Sequence, residues 1–255
     1  MKINSLFSQD NNDQSGHEND PPPMGRQDSA ARHGHAPLTR RHIWANFRPI
    51  MTQRKTGPFT SVAPIVLASA SPRRRELVAD LGLDFDIHPS RAEEPAPLPC
   101  ESPADYAARM AKMKTLEVAD RFPDRTVLGA DTIVVLGDRI MGKPADAADA
   151  LGMLTALSGR THQVITAFCL AAPDRPALTR AVSTDVDMRA STEAELRAYI
   201  ATGEPTDKAG AYAIQGVGTF LVTAIRGSYT NVVGLPVARV LEVLISWGVA
   251  VPRLK

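Results

Sequence analysis

The chain has 255 residues, a formal net charge of +1, 44% hydrophobic residues and two cysteines. Near-neutral charge excludes a strongly basic nucleic-acid-binding surface as a whole-chain property, and no stretch approaches the roughly 18 uninterrupted apolar residues of a membrane span. With no Cys-x-x-Cys pair, no Cys/His zinc spacing and no basic-then-apolar leader, Cys100 and Cys169 suit a reducing compartment. A soluble cytoplasmic protein with neither nucleic acid nor membrane as partner is expected.

Residues 1–60 differ in composition from the rest. Asn11-Asn12-Asp13, Pro21-Pro22-Pro23 and His33-Gly34-His35 sit among polar and basic residues without a sustained apolar period. This stretch is expected to be a disordered extension, followed by one domain over 61–255. Four of the six histidines, His17, His33, His35 and His42, fall in it, but their irregular spacing does not match a metal site. Arg40-Arg41 and Arg48, with Trp44 and Phe47, offer at most a weak anionic-surface contact, and Met51 is an alternative start. The domain is long enough to bury a core without a disulfide or metal staple.

Ile65-Val66-Leu67-Ala68 reads as a buried strand that empties through Ser69-Ala70-Ser71-Pro72 into a helix from Arg73 to Leu81, closed by Gly82. Phe85-Asp86-Ile87 is a second strand, and an acidic, proline-rich loop around Glu93-Glu94-Pro95 follows. Ser102 with Pro103 opens a helix to about Arg121. Residues 126–130 and 133–136 are strand material on either side of Asp131-Thr132, and Gly137-Asp138 makes a turn. Asp146 to Leu157 is helical, ended by Gly159. Strands follow over 164–171 and 180–188, linked by the loop 173–176, and Thr192 to Glu195 is a capping box for a helix ending at Gly203. Phe220 to Ile225 is the next strand. Val237 to Trp247 is the final helix, with Val240, Leu241, Leu244 and Ile245 at core spacing. The order is mixed α/β, without internal repeats.

Several segments could carry chemistry. In Ser69-Ala70-Ser71-Pro72-Arg73-Arg74 a strand runs through hydroxyls into a helix N-terminus, which offers backbone N–H groups and two guanidiniums to an anion; an ordinary capped helix with surface arginines explains the same pattern. In Gly129-Ala130-Asp131-Thr132 a carboxylate ends an apolar strand, where ligands bind in α/β folds. It can hold a divalent cation, accept a proton from an attacking water, or simply cap a turn. Gly142-Lys143-Pro144 lacks the Walker spacing, so that reading is rejected; Lys143, like Lys114 on its helix, either neutralises a phosphate or projects into solvent. The loop Asp207 to Gly216 gathers an acid, a base, glycines and an amide, a density unusual in a plain connector. His162 has no serine or cysteine nucleophile beside it and is given a structural role.

In order, Leu67-Ala68-Ser69-Ala70-Ser71-Pro72-Arg73-Arg74, Gly129-Ala130-Asp131-Thr132, Gly142-Lys143-Pro144, Leu157-Ser158-Gly159-Arg160-Thr161-His162-Gln163-Val164, Asp207-Lys208-Ala209-Gly210-Ala211-Tyr212 and Val233-Gly234-Leu235-Pro236 resemble the Maf family of nucleotide pyrophosphatases. The resemblance spans about residues 64 to 247. It implies an α/β fold with an elongated mixed sheet flanked by helices, similar to inosine triphosphate pyrophosphatases, a cleft between two lobes, and a divalent cation, Mg²⁺ or Mn²⁺. Asp-Lys-Ala-Gly-Ala-Tyr followed by Ile214-Gln215-Gly216 resembles the branch acting on dTTP and UTP rather than that acting on 7-methyl-GTP. Two positions depart from the family pattern: Ala213, where glycine is frequent, and Pro95, where a polar residue is common.

Carried over residue by residue, the resemblance implies Asp131 as the proton acceptor that activates water, and Arg73, Thr132 and Gln215 as positions linked with substrate selectivity. Attack on a polyanion calls for cations around the phosphates, for which Arg74, Lys114, Lys143 and Lys208 are candidates together with Ser69. Glu94 and Asp207 join Asp131 as candidate metal ligands. The expected partner is a nucleoside triphosphate, and the resemblance allows a homodimer. Two rivals remain: a nucleotide-binding regulator of cell division with little hydrolysis, and the same chemistry on 7-methyl-GTP, inosine or xanthosine triphosphate.

Overall fold

The computed structural model describes residues 57–254. The expectation of disorder lies outside the described residues except at 57–60, and these four belong to the fold. Strand β1 (Phe59–Ser61) pairs antiparallel with the terminal β9 (Ala250–Pro252), and Phe59 N–H donates to Leu81 O at 3.0 Å. Composition alone assigned Phe59 and Thr60 of this short strand to the extension, because its partner lies at the far end of the chain.

The remaining strands form one mixed sheet. β2 (Ile65–Leu67) lies parallel to both β3 (Phe85–Ile87) and β4 (Val127–Leu136). β4 continues antiparallel to β6 (Thr161–Ala172), then β7 (Arg175–Met188) and β8 (Val222–Arg226), while β5 (Arg139–Met141) folds back onto β4. The β6–β7 hairpin runs longer than expected, so the loop foreseen over 173–176 shrinks to a tight turn with Ala172 opposite Arg175. β8 starts at Val222, two residues later than expected, because residues Gly216–Leu221 coil into a 3₁₀ turn first.

Side chains alternate across the sheet, so odd and even positions of β4 meet different partners. Ile133 and Val135 pack with Ala107 and Ala111 of α2 (Pro103–Ala119). On the other face Leu128 and Ala130 join a cluster with α1 (Pro72–Asp80) and α6 (Val237–Ser246). Val134 belongs to a separate cluster with α3 (Ala147–Leu157) and α4 (Glu193–Ile200). Val232 of the short α5 (Tyr229–Val233) packs against this second cluster, while Leu235 just beyond the helix belongs to the first. The α4 capping box forms as expected, Thr192 accepting from Glu195 N–H while Glu195 reaches back to the Thr192 N–H. In α6 the buried stripe is Val240, Val243 and Leu244; Ile245 is 42% exposed, since the helix presents its i, i+3, i+4 row to the sheet. Among the described residues no helix is long and apolar enough to cross a membrane.

Gly129 explains how α2 comes close. A Cβ there would lie 2.3 Å from Thr115 Oγ1, so only glycine lets the helix settle against β4 at this point. The next residue along α2 from that contact is Lys114, and the next along β4 but one is Asp131.

Candidate functional site

The sequence places Asp131 at the end of a strand, but β4 runs unbroken through it, with Asp131 opposite Ala167 and Thr132 opposite Thr166 on β6. A carboxylate between small residues looks like a break; its backbone nevertheless stays in the ladder, because only the side chain needs to leave the core. What ends here is β2. Its last ladder contact is Ala68 N–H to Leu128 O at 2.8 Å, and β5 takes up the same edge of β4 only at Val134. Between them Gly129 to Ile133 present an edge without a strand partner, and a cleft of about 790 Å³ wraps around it. Adjacent residues point to opposite faces, so this open edge is what brings Asp131 and Thr132 into one cleft. Ser69, Arg73, Arg74, Glu94, Lys114, Lys143, Asp207, Lys208 and Gln215 line the same cleft.

On the α2 face, Lys114 Nζ lies 2.7 Å from Asp131 Oδ1 and 2.7 Å from Glu94 Oε1. The two carboxylates therefore converge on one point from a buried strand and an exposed loop. Burial works against the Glu94 charge, but the Lys114 hydrogen bond and charge, helped by Lys143 and Arg74, outweigh it and hold this carboxyl below its usual range. Lys143 is exposed on the rim.

Arg74 occupies the open edge itself. Its Nε donates to Gly234 O at 2.8 Å, Nη1 to Ala130 O at 2.8 Å and Ser69 Oγ at 3.3 Å, and Nη2 to Thr132 Oγ1 at 3.0 Å. Four of its five N–H groups are thus directed at protein oxygens. Burial lowers its pKa, opposed by the Asp131 charge, yet a guanidinium stays protonated. Arg74 fastens α1, β4 and the turn after α5 together, whereas the sequence offered it as a phosphate ligand. Arg73, one residue earlier, lines the cleft and has no hydrogen-bond partner among the described residues.

The segment after α4 forms the opposite wall. Lys208 Nζ contacts Glu204 O at 2.8 Å and Asp207 Oδ1 at 2.5 Å, so Asp207 turns to its neighbour rather than to Glu94 and Asp131. Among the described residues no group of three or more His, Cys, Asp or Glu side chains converges. Gly210 has φ 68°, and a Cβ there would lie 2.9 Å from Val134 Cγ2, so the loop lies directly on β4. Tyr212 is anchored by His162, with Oη and Nε2 2.7 Å apart. Gln215 follows, half-buried, with its amide unengaged among the described residues.

His162 is 3% exposed, and burial pushes its pKa down to about 4, weakly opposed by Asp187. Since the unfolded chain takes up this proton near pH 6.5, the contribution of neutral His162 to stability is complete above that pH and is lost as pH falls toward 4, by about 3 kcal/mol in all. Denaturation midpoints measured from pH 7 to 4.5 should fall less steeply for His162→Gln than for the unsubstituted chain.

Sequence reasoning passed over Tyr106, Thr166 and Asn231. Tyr106 lines the cleft two helical turns before Lys114, and that stripe was a readable signal. Thr166 and Asn231 are fully buried behind Thr132; no local pattern marks them, because the contacts join residues far apart in the chain.

Relatives place these residues in a family. The chain is 51% identical to a dTTP/UTP pyrophosphatase of Oleidesulfovibrio alaskensis, covering 77% of this chain and 90% of that one. It is 52% identical to a dTTP/UTP pyrophosphatase of Geobacter metallireducens, covering 72% and 96%. Among solved structures, the Ham1 protein of Staphylococcus aureus aligns with a TM-score of 0.42 at 12% identity, over 72% of this chain and 99% of that one. Residues 64–247 match the family model described as Maf-like protein, and the chain belongs to the Maf family.

Proposed function

We propose that this protein hydrolyses dTTP and UTP to the nucleoside monophosphate and pyrophosphate. The observation that carries this reading is the Glu94–Lys114–Asp131 cluster at the open edge of β4, inside a cleft whose other walls carry Arg73, Lys143 and Lys208. The relatives named dTTP/UTP pyrophosphatase support the choice of bases. Two free cysteines, one exposed and one buried, are consistent with action on nucleotides in a reducing cytoplasm.

Water attacks the α-phosphorus as the bond to the bridging oxygen of pyrophosphate breaks. Asp131 accepts the proton that water loses, its Oδ1 fixed by Lys114 and its Oδ2 without a hydrogen bond among the described residues. Arg73, Lys143 and Lys208 offset the charge of the triphosphate as it approaches. Ser71 caps α1 by accepting from Arg74 N–H, which sets that helix N-terminus toward the cleft.

A divalent cation fits the residues present. Glu94 and Asp131 bring oxygens to one shared partner, and Mg²⁺ is commonly bound by one or two carboxylates with substrate phosphates completing its shell. Glu94 and Asp131 would hold it, while Asp207 is turned to Lys208, and when bound it would supply charge stabilisation at the phosphates.

Gln215 offers both an amide donor and a carbonyl acceptor to a base edge. Gln215→Ala is expected to cost about 1 to 3 kcal/mol of discrimination, lowering the preference for UTP over CTP by about five- to 150-fold in kcat/KM. The function itself is tested by product analysis with dTTP, UTP, CTP and 7-methyl-GTP in Mg²⁺ or Mn²⁺. Monophosphate and pyrophosphate from the first two are expected; binding without turnover would favour a regulatory nucleotide sensor instead.

A further inference from the structure

A line of hydrogen bonds crosses the sheet behind the cleft, and the groups at its two ends fix its direction. Arg74 Nη2 meets Thr132 Oγ1 at 3.0 Å, Thr132 Oγ1 lies 2.9 Å from Thr166 Oγ1, and Thr166 Oγ1 lies 2.9 Å from the backbone carbonyl oxygen of Asn231. The guanidinium can only donate and the carbonyl can only accept. Thr166 has a single proton, which the carbonyl requires, so the proton between the two threonines belongs to Thr132. Each hydroxyl therefore donates away from the cleft.

Asn231 keeps this order in place. It is fully buried, and its Nδ2 donates to Val164 O at 2.9 Å and Thr184 Oγ1 at 3.0 Å, which locks α5 against β6 and β7. Its backbone carbonyl also accepts from Gly234 N–H at 3.0 Å, which fixes that oxygen from a second side. Thr166 is fully buried as well and cannot touch a ligand. Thr132 lines the cleft, and its oxygen retains one lone pair and no proton to offer.

We propose that Thr166 and Asn231 are positioning residues that hold Thr132 as a pure acceptor toward the nucleotide, favouring a base with an N–H where uracil and thymine carry N3–H. Cytosine has a bare lone pair at that atom, and two facing lone pairs exclude it. The amide of Gln215 then serves a flanking carbonyl oxygen of the base. This inference rests on the proposed pyrimidine triphosphate substrate. A sugar hydroxyl is the other donor that dTTP and UTP share, and the test separates the two.

The experiment measures kcat/KM for UTP, CTP, N3-methyl-UTP and 3′-deoxy-UTP with the full chain, Thr166→Val and Thr166→Ser. The unsubstituted chain is expected to turn over 3′-deoxy-UTP and reject N3-methyl-UTP and CTP. Thr166→Val frees the Thr132 proton, so the UTP:CTP ratio should fall at least about tenfold, the size of one hydrogen bond's discrimination. Thr166→Ser, which keeps the hydroxyl, should hold the ratio. A merely structural role would lower both substrates together and leave the ratio unchanged, overturning the proposal. Loss on 3′-deoxy-UTP with N3-methyl-UTP accepted would overturn it without any variant, by assigning the donor to the sugar. No turnover of UTP by the unsubstituted chain would defeat the functional reading and this proposal with it; UTP turnover with an unmoved ratio defeats the proposal alone.

Discussion

Asp131→Asn is expected to lower kcat for UTP by about 10²- to 10⁴-fold, with KM and the thermal midpoint little changed. The amide keeps the shape of the carboxylate and can still accept from Lys114, which also retains Glu94 at 2.7 Å. What disappears is the group proposed to take the proton from water. Because this transfer develops only in the transition state, the loss should fall on kcat and on kcat/KM alike. Steady-state kinetics beside a melting curve would show it. Retention of more than a tenth of the activity would move the proton acceptor elsewhere, with Glu94 the next carboxylate in the cleft.

Arg74→Ala is expected to destabilise the fold by about 2 to 4 kcal/mol and to abolish most activity, because it strands acceptors in the interior rather than removing a phosphate contact. Ala130 O and Gly234 O would each lose a charged donor at 2.8 Å, and Thr132 would lose its anchor. Arg74→Lys should rescue little, since one ammonium cannot reach Gly234, Ala130 and Thr132 together. Denaturant midpoints and kinetics separate the possibilities. A variant of unchanged stability whose only defect is a raised KM would mean that Arg74 contacts substrate directly and that its protein contacts are incidental.

The difference between Arg73 and Arg74 marks where sequence reading stops. Both stand in one motif at the start of a helix, and both read as anion ligands. Only the fold shows that Arg74 turns inward to oxygens 56, 58 and 160 positions away. Long-range partners of this kind leave no local periodicity. The helices with sequence-visible caps, α2 after Ser102 and α4 after Thr192, were legible because capping is a local bargain between residues three apart.

The reading of Asp131 is instructive in the opposite way. The strand break foreseen there does not exist, yet Asp131 still lines the cleft, because β2 stops short and leaves the edge of β4 uncovered. The cleft residues could be gathered from motif order; their division between the two sheet faces could not. That division follows from the strand alternation at Asp131 and Thr132, and it separates the acid–lysine cluster from the threonine seam. The stripe of α6 was misjudged by one position at Ile245 for a related reason, since periodicity gives the width of an apolar face but not the angle at which the sheet receives it.

Hydrolysis of UTP in ¹⁸O-labelled water, with the label located by mass spectrometry, tests the central claim most directly. Attack at the α-phosphorus requires the label in UMP and none in pyrophosphate. Label in pyrophosphate, or release of labelled inorganic phosphate with UDP, would contradict the account.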